Sequence, residues 1–278
     1  MRELKHLSEV CEAYDTFVID LWGVMHNGIK LNDKAMEAVV QLRIKSKKIV
    51  FLSNAPRPSI KVIDFLIKMK IDKKYLSNVM TSGEAAMQAI NQNKFGKNFF
   101  HLGPQRDSSI FEKVKENSTT IDNCEFILCT GLFDEDDPDI NKTQLHENNL
   151  DYYKNFLTKH ISKKLVCTNP DLTVHRGNKE EYCAGYIAKI FEELGGKVTY
   201  YGKPYKEIYE MCFKPNEKVL AIGDNLRTDI KGANNLKKDC LFISNGVHRN
   251  EFANNLELDK LLDIYKVRAN YFQKELQW

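Results

Sequence analysis

Four short apolar runs in this chain end at residues of types that do chemistry. Asp20 follows TFVI (16–19), Ser53 and Asn54 follow IVFL (49–52), Lys203 comes just after VTYY (198–201), and Asp224 comes just after VLAI (219–222), with Asp229 close behind. A single such residue could be a turn former, because Asp and Asn end strands routinely. Four sets with complementary chemistry suggest a site. Two carboxylates, a lysine, a hydroxyl and backbone N–H groups at a helix start suit a Mg²⁺-phosphate centre, since hard Mg²⁺ needs only one or two protein carboxylates beside water and substrate phosphate. With Lys203 and the cation neutralising the phosphate, an Asp20 carboxylate could attack phosphorus and form an aspartyl-phosphate that water later cleaves.

Those residues can meet only if the runs are parallel strands whose carboxyl ends share an edge, where open α/β sheets bind ligands. The pattern fits. Ahead of residue 60 it reads TFVI, a helical stretch over 32–45, then IVFL, which is a βαβ unit. It returns late as VTYY, a helix over 205–213, VLAI, a helix near 228–236, and LFIS (241–244), and single helices between strands imply a parallel sheet. The middle third has its own alternation, with strands expected at 99–102, 126–130 and 164–168 and helices around 83–91 and 181–194. It reads as a second α/β domain inserted into the first. DEDDPDINKTQLHENN (134–149) suits a solvated acidic loop, and no repeat, GxGxxG or GxxxxGK motif occurs.

At 278 residues, with ~150 per domain as a prior, two domains are expected. Hydrophobic residues at 42% and charged residues at 28% describe a soluble globular protein rather than a disordered or fibrous one. A net charge of +3 falls short of a dedicated nucleic-acid binder, and the basic clusters RIKSKK (43–48) and KMKIDKK (68–74) lack interleaved aromatics. Seven cysteines without a CxxC pair argue for reduced thiols, and those at 124, 129 and 167 sit in or beside apolar strands as small hydrophobes. The polar start MRELKHLSEVCEAYD and the lack of an apolar run of membrane-spanning length make a cytoplasmic protein the expectation.

VIDLWGVMHNG (18–28), FLSNAPRPS (51–59), YGKPY (201–205) and IGDNLRTDIKGA (222–233) resemble the four ordered motifs of the haloacid dehalogenase superfamily of phosphohydrolases. The GVMHNG continuation, CTNPDLTVHRG (167–177) and YCAGYIAKIFEELGG (182–196) are similar to its class IIA sugar-phosphatase-like branch, and DLWG to a subgroup within it. The resemblance implies an α/β fold: a Rossmann-like parallel-sheet core over 1–82 and 196–278, with an α/β cap inserted over 83–195. It implies Asp20 as nucleophile and Mg²⁺ ligand, Ser53 and Asn54 as phosphate-binding, Lys203 as stabiliser of both, Asp224 and the Trp22 carbonyl as further ligands, and Asp229 as support for the metal shell. A cap of this kind selects small phosphorylated metabolites, sugar phosphate-like in the first instance, over nucleic acid or membrane. It also admits a homodimer through the cap.

One departure weighs against those matches. The family pattern usually places a second aspartate two residues after the nucleophile, to protonate the leaving oxygen and then activate water; here that residue is Trp22. General acid–base help is worth ~10²–10⁴-fold, so its loss should slow alkyl phosphate hydrolysis. His26, Asp171 and His175 are candidates to compensate, with loop-contact and turn-forming roles as their plain alternatives. Asn169 belongs to the same segment, and Arg176 could bind an anionic substrate group or be a surface arginine. The main reading is a Mg²⁺-dependent phosphatase; the rival is a phosphometabolite-binding or regulatory protein that kept the cradle and lost turnover.

Overall fold

A computed structural model describes residues 1–133 and 150–278; the acidic run 134–149 lies outside the described residues. The strands, in chain order, are β1 (Arg2–Glu3), β2 (Thr16–Ile19), β3 (Lys48–Ser53), β4 (Val79–Thr81), β5 (Phe99–Leu102), β6 (Phe126–Cys129) and β7 (Lys164–Cys167), followed by β8 (Thr173–Arg176), β9 (Lys179–Tyr182), β10 (Lys197–Tyr200), β11 (Val219–Gly223), β12 (Asp239–Ile243) and β13 (Tyr271–Gln273). Seven of them form one parallel sheet in the order β1-β13-β12-β11-β2-β3-β4. β2 and β11 are buried throughout, which is why they read as unbroken apolar runs: helices cover both faces. The chain passes from β2 outward through β3 to β4, then returns to add β11 on the other side of β2. The strand order therefore reverses at β2, and the crevice beyond its carboxyl end is where an open α/β sheet accommodates a ligand. Asp20 is the first residue past that end.

The helix Asp33–Ile44 follows β2. Its start is fixed by Asn32, whose side chain accepts from the Lys34 and Ala35 N–H groups, and it buries Ala35, Ala38, Val39 and Leu42 at helical spacing. That stripe packs with Phe17, Ile19 and Phe51 of β2 and β3 in one core. The loop 20–32 is thereby pinned at both ends over the sheet edge.

A second parallel sheet has the order β10-β7-β6-β5, with Leu150–Lys159 and Ala184–Glu193 packed on it through Tyr153, Leu157, Ile187 and Phe191. Cys124, Cys129 and Cys167 fill this core as small hydrophobes, and all seven cysteines are buried free thiols. Two expectations need correction. The strand expected at 198–201 forms at 197–200, but it pairs with β7 of this second sheet, so the chain crosses back to the large sheet after Tyr200 rather than at 195–196. The helix expected from Glu181 begins at Ala184, because 179–182 pairs antiparallel with 173–176 around Gly177-Asn178. Gly177 takes φ +62°, the left-handed conformation such a two-residue turn needs. No helix among the described residues is long and apolar enough to cross a membrane.

Candidate active site

Register alone brings the two acidic strand exits together: Ile19 of β2 pairs with Ile222 of β11, and the Asp20 N–H donates to the Ile222 carbonyl at 2.8 Å. Asp20, Asp224 and Asp229 are buried, and one carboxylate oxygen from each lies within 4.8 Å of the others. Lys203 reaches this cluster from the crossing between the two sheets. Its ammonium, 3% exposed, donates to Asp20 Oδ1 at 2.6 Å, to Asp229 Oδ1 at 2.7 Å and to the Leu52 carbonyl at 3.2 Å. Asn54 sets the approach: its Oδ1 accepts from the Lys203 N–H at 2.8 Å while its Nδ2 donates to the Lys203 carbonyl at 3.2 Å. Ser53, also buried, accepts from the Ala55 N–H through its hydroxyl at 3.2 Å.

Three carboxyl groups and one ammonium share this buried space, so anionic charge is in excess. Burial opposes the charge on Lys203, but the Asp20 and Asp229 carboxylates overcome it and hold the ammonium well above its usual range. For Asp224, burial and the neighbouring Asp229 push the carboxyl up to about 8. Burial likewise lifts Asp20 well above the ordinary carboxylate range, against the pull of Lys203. Such a set of hard oxygens, short of positive charge, fits a divalent cation of the Mg²⁺ type. The backbone is shaped for it: a Cβ at Gly23 or Gly246 would fall 2.0 Å from Asp224 Oδ2, and Gly23 also takes φ +88°. The Val247 N–H donates to the same oxygen at 2.7 Å, orienting the carboxylate.

Trp22 turns its side chain to the β8–β9 hairpin. Its Nε1 donates to the His175 carbonyl at 2.8 Å, and the Arg176 guanidinium lies over the ring, 5.2 Å from its centroid. That arginine is also paired with Glu181 across the hairpin at 3.1 Å, so its charge already has a partner. His26 meets Trp22 and Phe65 edge-on, and its Nδ1 accepts from the Gly28 N–H at 3.0 Å. Burial depresses its pKa to about 4, so the ring is neutral at pH 7 with its proton on Nε2 and is no acid. Asn169 shapes its own turn by accepting from the Asp171 N–H at 3.1 Å. Asp171 gathers both sides of the site: Oδ1 accepts from Asn54 and Asn225 at 3.2 Å and from Thr228 at 3.1 Å. Burial raises its carboxyl above the usual range although Lys203 pulls the other way.

A cleft of about 590 Å³ opens over the three aspartates, between the loop 22–34, the hairpin and the loop 245–249. Arg249, Asn245 and Lys274 on its walls were not foreseen from sequence. A profile described as haloacid dehalogenase-like hydrolase matches residues 17–115, and a second, HAD-hydrolase-like, matches 200–264. A haloacid dehalogenase-like hydrolase of Brucella suis superposes with TM-score 0.83 at 27% identity, over 99% of this chain and all of the other. The chain belongs to the haloacid dehalogenase-like hydrolases. Within them it is 24% identical to the 5'-nucleotidase YutF of Bacillus subtilis, over 86% of this chain and 91% of that one. It shares the fold of the p-nitrophenyl phosphatase of Archaeoglobus fulgidus, with TM-score 0.68 at 17% identity over 94% and 96% of the two chains. The two profiles fall on the segments that carry Asp20, Ser53, Lys203 and Asp224; the stretch between them supplies β6, β7 and most of β10 of the second sheet, while β5 lies within the first profile.

Proposed function

We propose that the chain is a Mg²⁺-dependent phosphatase acting through an aspartyl-phosphate on small phosphorylated metabolites. The observation that carries this reading is the Lys203 ammonium bridging Asp20 and Asp229 beside Asp224. Mg²⁺ would be held by Asp20, Asp224 and the Trp22 carbonyl, with Asp229 supporting them through Lys203. When bound, the ion offsets the carboxylate charge and draws electron density from the phosphoryl oxygens.

Asp20 attacks phosphorus; the bond from phosphorus to the ester oxygen breaks, and water then cleaves the acyl phosphate to regenerate the carboxylate. Lys203 neutralises charge on the phosphoryl group, and Ser53 with the Asn54 backbone binds its oxygens. Asp171 is the carboxyl suited to replace the acid absent at Trp22: burial favours its protonated form, and it borders the cleft beside Asn54. The names of the relatives, a 5'-nucleotidase and a p-nitrophenyl phosphatase, agree with a phosphate monoester as substrate.

The engagement of Trp22 with the hairpin favours a second reading, in which the site binds phosphometabolites without turning them over. Phosphate release from a metabolite panel with and without Mg²⁺, beside an Asp20→Asn control, decides between them. Release that needs Mg²⁺ and vanishes in the variant supports the phosphatase. Binding without release in the wild type supports the other reading.

A further inference from the structure

The cleft over Asp20 is polarised along its depth. Its floor carries the three aspartates with Lys203 as counter-charge; its mouth carries Lys30, Lys34, Arg249 and Lys274 against Asp33 and Glu275. Lys34 and Glu275 satisfy one another at 3.1 Å, so the remaining cations outnumber the remaining carboxylate. Arg249 is the informative one. It is half-buried, spans the cleft from the Gly246 carbonyl to the Gly177 carbonyl at 3.4 Å each, and has no ion pair among the described residues. Two long bonds leave most of its five donors available. A half-buried guanidinium that lines the cleft with no carboxylate paired to it among the described residues is suited to take an oxyanion, because desolvating a charge is costly unless a partner offsets it. His175, on the same wall, leaves Nδ1 buried without a hydrogen-bond partner.

The reach is right for one small molecule. Val247 donates to Asp224, and Arg249 stands two residues further along, roughly 7 Å of extended chain at most. A cleft of about 590 Å³ lies within the ~300–1,000 Å³ typical of small-ligand sites, so it has room for more than a bare phosphate.

Resting on the phosphatase reading, we infer that Arg249, with Lys30 and Lys274, forms a subsite for a second oxyanion carried by the leaving group, a carboxylate or a further phosphate. The substrate class is thereby narrowed to doubly anionic metabolites, with one end on Asp20 and the other at the mouth. Arg176, the arginine singled out by sequence, is occupied by Glu181 and Trp22.

The test is calorimetric binding to the Asp20→Asn protein in Mg²⁺, which does not depend on turnover. Two matched pairs serve as probes: phosphoglycolate against hydroxyethyl phosphate, and propanediol bisphosphate against propanediol monophosphate. The doubly anionic member should bind roughly tenfold or more tightly, the range of one charge-assisted hydrogen bond, and the better pair identifies carboxylate or phosphate as the preferred group. Adding Arg249→Gln should collapse that advantage to within about twofold while leaving the affinity for the ester with a single anionic group unchanged. Lys274→Gln, at an exposed position that poses little risk to the fold, should reduce the advantage in the same direction. Equal affinities within both pairs, or an Arg249→Gln loss shared by both members, would overturn the subsite. If no ester binds in Mg²⁺ either to the Asp20→Asn protein or to the wild type, where binding is read as phosphate release or its inhibition, the phosphatase reading fails and the subsite with it; esters that bind without discrimination within the pairs overturn the subsite alone.

Discussion

Replacing Lys203 by Met keeps an unbranched stem and removes the only ammonium that touches Asp20 and Asp229 among the described residues. The cost can be bounded from two directions. Deleting one partner of a buried pair typically destabilises by about 3–5 kcal/mol, because a charge is left without compensation. Alternatively the stranded carboxyl takes up a proton; for an aspartate of ordinary pKa ~3.9 at pH 7, at 1.36 kcal/mol per unit, that costs about 4 kcal/mol. The two estimates agree. For a chain of 278 residues, about 4 kcal/mol corresponds to a fall in Tm of roughly 7 °C for the metal-free protein. The pH dependence gives the decisive signature. Lys203 is held above its usual range, so it is charged in folded and unfolded states alike between pH 5 and 8, and its own titration adds no slope there. Protonating the stranded carboxyl, in contrast, costs only about 1.5 kcal/mol at pH 5. The difference in Tm between wild type and variant should therefore shrink by more than half from pH 7 to pH 5, and saturating Mg²⁺ should narrow it at pH 7. Differential scanning calorimetry with and without EDTA measures all of these. A metal-free Tm within about 2 °C of wild type at pH 7, or a gap that does not change with pH, would refute the charge-compensation argument.

Three further outcomes are expected. The folded, metal-free Asp224 carboxyl titrates near 8, above its unfolded value, so the folded state holds the extra proton and metal-free stability should fall as pH rises from ~4 toward 8. Mg²⁺ affinity should rise over pH 6–8 with release of a proton, and pH-independent Mg²⁺ titrations would contradict this. Trp22→Phe removes the indole N–H held by the His175 carbonyl; hydrogen exchange in residues 173–182 should accelerate by about tenfold, the worth of one hydrogen bond, while the rest of the chain stays unchanged. If Asp171 supplies the leaving-group proton, a kcat/KM series of phosphate esters should be shallow in wild type and steep in Asp171→Asn, with alkyl esters losing ~10²–10⁴-fold and nitrophenyl phosphate little; a series steep already in wild type would remove Asp171 from that role.

The central strands were legible because burial on both faces leaves only apolar residues, and TFVI, IVFL and VLAI carry that mark. β4 and β13, three residues each and only partly buried, offered no comparable run. VTYY announced a strand but not its sheet. Its alternation of exposed Lys197 and Thr199 with half-buried Val198 and Tyr200 is the pattern of an edge strand with a single packed face, which separates it from the fully buried runs of the large sheet. The hairpin had a readable turn signal in Gly-Asn, but its second strand, KEEY, is built mostly of exposed Lys and Glu, which strands disfavour, and a helical reading of 181–194 absorbed its end.

The candidate site divides along the same physical line. Asp20 and Asp224 occupy neighbouring strand exits, where parallel register dictates who meets whom, so their meeting follows from the order of elements. Lys203 comes from a crossing segment, yet it reaches the same cluster because Asn54, itself at a strand exit, clamps both its N–H and its carbonyl. Strand order determines nothing about the cleft walls, which belong to loops. Arg176 and Arg249 look alike in sequence, one in a VHRG stretch and the other in a VHRN stretch, and only the fold distinguishes them. The register of the hairpin sets Val174 opposite Glu181, which leaves Glu181 in reach of Arg176 on the same hairpin, whereas Arg249 is held between Gly246 and Gly177, far apart in the chain. A basic residue's availability to a ligand thus depends on contacts that no local pattern encodes. The strand exits can identify the phosphate end of the substrate; the rest of the molecule must be read from the loops that close over it.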